Sequence, residues 1–171
     1  MKKTAVTVAL LVVWMFMVPM GWAQKADDAE HAELAKALRD ANISLQRGLT
    51  ASTKEGKPIS AKYEVEHGKL QLSVYTMKGD KFSEVIVDHK TGKVAKAEPI
   101  TGGDDLTAAK AQSETMAKAT RSLDAAAAEA VKENKGYRVV SVMPALKDGH
   151  PVADVTLVKG AEWKTVSEKL D

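Results

Sequence analysis

Cysteine is absent from this chain of 171 residues. That excludes disulfide staples, a thiolate nucleophile and every thiolate metal site, and it leaves no residue to carry a lipoprotein's lipid. Aromatic side chains are scarce, with two Phe, three Trp and three Tyr. Trp14, Phe16 and Trp22 crowd into the first 23 residues, so the rest of the chain keeps Phe82, Trp163, Tyr63, Tyr75 and Tyr137. Those are few for a recognition surface. An excess of one charge is missing too: the formal charge of +2 comes from 25 basic and 23 acidic residues, and Lys2 and Lys3 supply the difference. A basic pI of that origin is not a nucleic-acid footprint, so no nucleic-acid partner is expected.

Long apolar runs are confined to the N-terminus. Met1-Lys2-Lys3 precedes an uncharged run from Ala5 to Val18, which Pro19 and Gly21 interrupt. Gly21-Trp22-Ala23 then places small residues three and one before a cut. A basic start, an apolar middle and a small-residue end describe a secretory signal over residues 1–23, cleaved after Ala23. The competing reading is a retained anchor. A stable span takes about 20 apolar residues, and here the helix-breaking pair sits inside the run. The expectation is therefore a periplasmic or secreted protein with no stable membrane span after cleavage. The remaining 148 residues carry 23 charges of each sign, enough chain for one domain or two small ones sharing a core.

The organising stretch runs from Gly56-Lys57-Pro58-Ile59 to Lys93-Val94. Before it, Asp27-Asp28-Ala29-Glu30 has capping-box spacing, and Leu34, Leu38, Ala41, Leu45 and Leu49 form one stripe. The spacing predicts a helix from about Asp28 to Arg47. Ile59, Ala61, Tyr63 and Val65 then alternate with polar residues, as do Leu70, Leu72 and Val74, and Phe82 to Val87 makes a third run. His67-Gly68 and Lys78-Gly79-Asp80 are tight turns, so the three strands are expected as an antiparallel meander lidded by the helix. Pro99 to Asp105 reads as linker, placed at residues 99–106. An Ala-rich segment from Thr107 to Asn134 predicts a second helix, and 138–146, 152–158 and 162–166 predict three more strands.

The halves superimpose without a gap at an offset of 81. Gly68 meets Gly149, Lys78-Gly79 meets Lys159-Gly160, Ser60 meets Ser141, Val74 meets Val155 and Val85 meets Val166. Those six identities matter less than the shared turns and apolar phase. Pro144 and Pro151 lie in or beside the second set of strands, which points to an edge or a bulge. The expected fold class is α+β, built of two repeats, each a helix on a three-stranded antiparallel meander: unit 1 at 24–98 and a degenerate unit 2 at 107–171.

Gly-Lys-Pro-Ile-Ser-Ala, the alternating strands and Glu84-Val85-Ile86-Val87-Asp88-His89-Lys90-Thr91-Gly92-Lys93-Val94 together resemble the PepSY domain, a family named from the propeptides of secreted metallopeptidases and related envelope proteins. The resemblance covers Leu34 to Pro99 well and Leu123 to Asp171 weakly. It implies a tandem of two such units that binds or restrains an envelope protein partner, peptidases first among the candidates. The family-motif turn is Asp88, Thr91 and Gly92, and its physics is structural. An Asp side chain accepts bonds from the next turn's N–H groups, and Gly92 supplies a positive φ.

No catalytic machinery is legible. His31, His67, His89 and His150 lack the spacing of a metal site, and Asp88 beside His89 fails as a dyad because neighbours in a strand face opposite ways. No Gly-x-Ser-x-Gly and no phosphate-gripping loop occurs. No catalytic residue, cofactor or metal is assigned, and an enzyme ranks last. The first reading is a non-catalytic binding or regulatory module that uses a strand edge or sheet face. The alternative is a small-ligand or metal-responsive periplasmic accessory protein with a groove between the halves.

Overall fold

The computed structural model of the protein describes residues 20–171, with side chains from residue 28 onward. The expected signal thus lies outside the described residues through position 19, and Met20 to Ala23 open a helix. That helix, α1 (Met20–Ala37), leads through a 3-10 turn (Leu38–Asp40) to α2 (Leu45–Ser52). Four strands follow: β1 (Lys57–Glu66), β2 (Lys69–Lys78), β3 (Lys81–Val87) and β4 (Val94–Ile100). Then come α3 (Gly103–Lys118), α4 (Leu123–Glu133), β5 (Arg138–Lys147), β6 (His150–Lys159) and β7 (Glu162–Lys169). All seven strands form one antiparallel sheet in the order β4-β3-β2-β1-β5-β6-β7. The fold is α+β.

Two expected helices are each broken in two. The stripe from Leu34 to Leu49 runs through Asn42 and Ile43, whose N–H groups donate to the carbonyl of His89 (2.9 and 3.3 Å) and not to helical carbonyls. Ser44 then caps α2, its hydroxyl accepting from the Arg47 N–H. Leu34, Leu38, Leu45 and Leu49 are all buried, so the stripe is a real core signal shared by separate elements. The Ala-rich helix breaks for the same reason. The N–H groups of Thr120 and Arg121 donate to the carbonyl of Leu170, and Ser122 caps α4 through the Ala125 N–H. The two expected helices thus become four among the described residues.

These helices cover both faces of the sheet. Ala61, Val74, Val85, Val142 and Val155 lie side by side in register on one face and are at most 1% exposed. Helix α2 seals this face over β1 and β2, with Gly48 against Leu72, while α4 reaches Lys164 of β7 through Asn134. On the other face, α3 bonds to Ser60 through Gln112 (2.8 Å) and to Tyr75 through Asp105 (2.7 Å), and α1 stacks His31 on Trp163. One hydrophobic cluster contains core residues from every region of the described chain.

The expected linker ends one element and starts another: Pro99 and Ile100 close β4, and α3 begins at Gly103. Strand β4 escaped the apolar pattern because it is an edge, and Ala95 to Pro99 are all exposed. The halves join through a short ladder, with Ala61 opposite Val142 and Lys62 opposite Ser141. A bulge falls at Ile59 in β1 and another at Val140 in β5. His67-Gly68 and Asp148-Gly149 both turn with positive φ, as a two-residue hairpin requires.

Candidate functional site

The Asp88 turn is closed by a dense set of its own hydrogen bonds. One carboxylate oxygen, Oδ1, accepts the N–H of Lys90 (3.0 Å), the N–H of Thr91 (2.6 Å) and the hydroxyl of Thr91 (2.8 Å). The Gly92 N–H donates to the Asp88 carbonyl, and Gly92 adopts φ +72°. Thr91, by its N–H and then its hydroxyl, holds the Asp88 carboxyl below the usual range, with the Lys90 N–H adding to the effect. Every residue of the motif is thus occupied in holding the loop. The loop in turn holds the helices, because its His89 carbonyl is what Asn42 and Ile43 bind. The His89 ring is turned inward, with Nδ1 buried and unpartnered.

Across the seam between the halves, Arg138 does a similar task. Its guanidinium donates to the carbonyls of Leu38 (2.8 Å), Ala41 (3.3 Å) and Ile43 (2.7 Å), and it lies 5.2 Å from the centre of the Tyr63 ring. The Tyr63 hydroxyl also donates to Ile43 (2.9 Å), and burial is the main reason that this phenol titrates above its usual range. Five planar donors suit a cluster of carbonyls that a helix end leaves unpaired. Nothing in the sequence singled out Arg138, since its partners are about a hundred residues away.

The other histidines are scattered. His31 stacks on Trp163 with ring centres 4.3 Å apart, His67 sits exposed at a hairpin tip, and His150 pairs with Asp171 at 2.8 Å. Among the described residues, no group of three or more His, Asp or Glu side chains could hold a metal ion. A polar cluster that sequence reasoning missed spans β5, β6 and β7. Lys147 Nζ lies 2.7 Å from Asp154 and 2.5 Å from the Ser167 hydroxyl, which itself donates to Asp154. Burial pushes the Asp154 carboxyl up, but the bonds from Lys147 and Ser167 outweigh it and leave it lowered. Once Asp148-Gly149 sets the hairpin register, Lys147 and Asp154 fall on one face, and that was the signal available.

A mainly apolar cleft of about 320 Å³ opens between α2, the start of β1 and the α3–α4 junction, floored by Leu49, Pro58, Met116, Ala119 and Leu123, with Lys57 and Arg121 at its rim. The sheet also ends in two edges, β4 and β7, each paired on one side only. Pro99 removes a donor from β4, and Lys96 stands out from it beside Glu98 at 2.7 Å. Proline and lysine blunt an edge, and β7, eight residues long without proline, carries Lys164 and Lys169 along with Glu162 and Glu168. Among the described residues, no helix is long and apolar enough to cross a membrane.

No protein-family model matches the chain, and no curated protein does. Among solved structures, it is similar to a candidate lipoprotein from Clostridium difficile 630, with 13% identity and a TM-score of 0.40 over 69% of this chain and 78% of the other. A likeness of that extent bears on neither partner nor activity.

Proposed function

We propose that the chain is an exported, non-catalytic binding or regulatory module of PepSY type that engages an envelope protein partner, a peptidase first in class. In this reading two α+β repeats share one sheet, each a three-stranded antiparallel meander with a pair of helices in place of the single helix expected, and β4 adds a fourth strand to the first. The equal spacing of features supports the repeat. The bulges at Ile59 and Val140, the turns at Gly68 and Gly149, and those at Gly79 and Gly160 are all 81 residues apart, as are the facing residues Ala61 and Val142. The Asp88 lock, bonded as the family turn demands, supports the resemblance.

The observation that carries the binding role is the sheet's open margin. An unpaired edge offers alternate N–H and C=O groups to an extended segment of another protein. The test is capture of partners from envelope extract, followed by titration of the purified partner against the purified chain and assay of any peptidase activity. Saturable binding that alters peptidase turnover supports the proposal. Hydrolysis of a peptide by the purified chain alone overturns it.

The cleft beside Leu49 and Met116 favours a second reading, a small-ligand or metal-responsive accessory protein. A metabolite or metal ion that raises the melting temperature in proportion to its concentration supports that reading over the first.

A further inference from the structure

We propose that β7 is a self-complementary edge through which two copies of this chain pair antiparallel about Val166, joining their sheets into one. Beyond the binding module proposed above, this assigns one of the two edges to a second copy. Side chains alternate along β7: Lys164, Val166 and Glu168 share the face covered by α4, while Trp163, Thr165, Ser167 and Lys169 share the other. Antiparallel pairing centred on Val166 sets Lys164 of each copy opposite Glu168 of the other, twice, with the two Val166 side chains touching between them. On the other face it sets Thr165 opposite Ser167 and Trp163 opposite Lys169. Opposite charges are cross-strand neighbours that stabilise an antiparallel pair; the Ser167 hydroxyl is already held by Asp154 and Lys147 and the Trp163 ring by His31, so the Lys164–Glu168 match carries the pairing.

Neighbouring registers lack this match. Centring on Thr165 puts Glu162 against Glu168, and centring on Ser167 puts Glu168 against Val166. Because a sheet register is selected by what faces what, only the Val166 register is favoured. The charges around β7 also call for a partner. Burial and the nearby Glu133 raise the Glu168 carboxyl above its usual range, with Glu129 adding to this and Arg121 opposing it. A lysine from a second copy would offset that acidic surplus. Within the chain, Lys164 already touches Asn134 and the Tyr137 ring, which holds its ammonium on the α4 face of the edge. Arg121 takes the Lys169 carbonyl at the end of the strand (2.9 Å), which bounds the pairing there.

Light scattering on a sizing column with the purified chain, Lys164→Glu, Glu168→Lys and an equal mixture of the two variants tests this. An eight-residue edge is smaller than a standard interface, so association is expected at micromolar concentrations. The natural chain is expected as a dimer and each variant alone as a monomer, because each would face like charges twice. The mixture is expected to recover the dimer, since unlike copies then match at both positions. Circular dichroism of each variant separates loss of pairing from loss of fold, and Glu168→Lys, which relieves the acidic surplus, is expected to keep its fold. A monomeric natural chain, a dimer indifferent to either reversal, or folded variants that fail to pair when mixed overturns the proposal. Peptidase or partner binding by a chain that stays monomeric leaves the module reading standing while this one fails.

Discussion

Asp88 accepts three hydrogen bonds on one oxygen, and each favours its ionised form. A carboxyl whose folded pKa is depressed stabilises the fold fully above the ordinary carboxylate range, at about pH 4, and loses that contribution as pH falls through the lower folded value. Urea unfolding of the natural chain and of Asp88→Asn is therefore expected to differ most at neutral pH and to converge in acid. Parallel pH profiles would remove the turn lock from the account of stability. Asp88 and His89 lie past the end of β3, in the turn and not in the strand that the sequence suggested, and they are not bonded to each other as a dyad would be. Asp88 is bonded outward to its own loop, and His89 turns its ring in and spends its carbonyl on Asn42 and Ile43.

At the scale of elements, packing decides against local preference. Gly48 lies within α2, where replacing glycine with alanine on an exposed face would stabilise by about 1 kcal/mol. A Cβ at Gly48 would collide with the Leu72 Cδ2, and because Leu72 is fully buried its side chain would have to shift within the core. Overpacking costs about 1–3 kcal/mol, so Gly48→Ala is expected to destabilise by about 1–2 kcal/mol net in chemical denaturation. A gain in stability would mean that α2 rides looser on β2 than the contact implies. The close approach lets an eight-residue helix, too short to stand alone, seal the Leu72 face of the sheet.

For the whole molecule, Arg138 and the β1–β5 ladder make the halves one structure. Removing the guanidinium leaves carbonyls of Leu38, Ala41 and Ile43 without their charged donor at the seam. Bonds of this kind contribute roughly 1.5–3 kcal/mol, so Arg138→Ala is expected to lower stability by about 3 kcal/mol, with Lys recovering part of it. In a chain purified without residues 1–23, which hold Trp14 and Trp22, Trp163 fluorescence reports the second half and far-ultraviolet dichroism the whole chain. Their denaturation curves are expected to coincide in the natural protein, because one hydrophobic cluster spans both halves. Separate transitions would mean that the seam couples the halves too weakly for common unfolding.

The sequence by itself determined six of the seven strands among the described residues, the turns at Gly68, Gly79, Gly149 and Gly160, and the Asp88 lock. All of these are written in neighbours a few residues apart, as period-two burial or as a backbone angle that glycine allows. The leucine and alanine stripes were also legible as core, but their breaks were not. The carbonyls that stop those helices belong to His89 and Leu170, far along the chain. Strand β4 was invisible because an exposed edge buries nothing and so leaves no apolar pattern. Arg138, the Lys147–Asp154–Ser167 cluster and the cleft beside Met116 exist only when distant segments meet. Tertiary structure decided these features because each depends on partners brought together by the pairing of β1 with β5 and by the packing of helices on both faces.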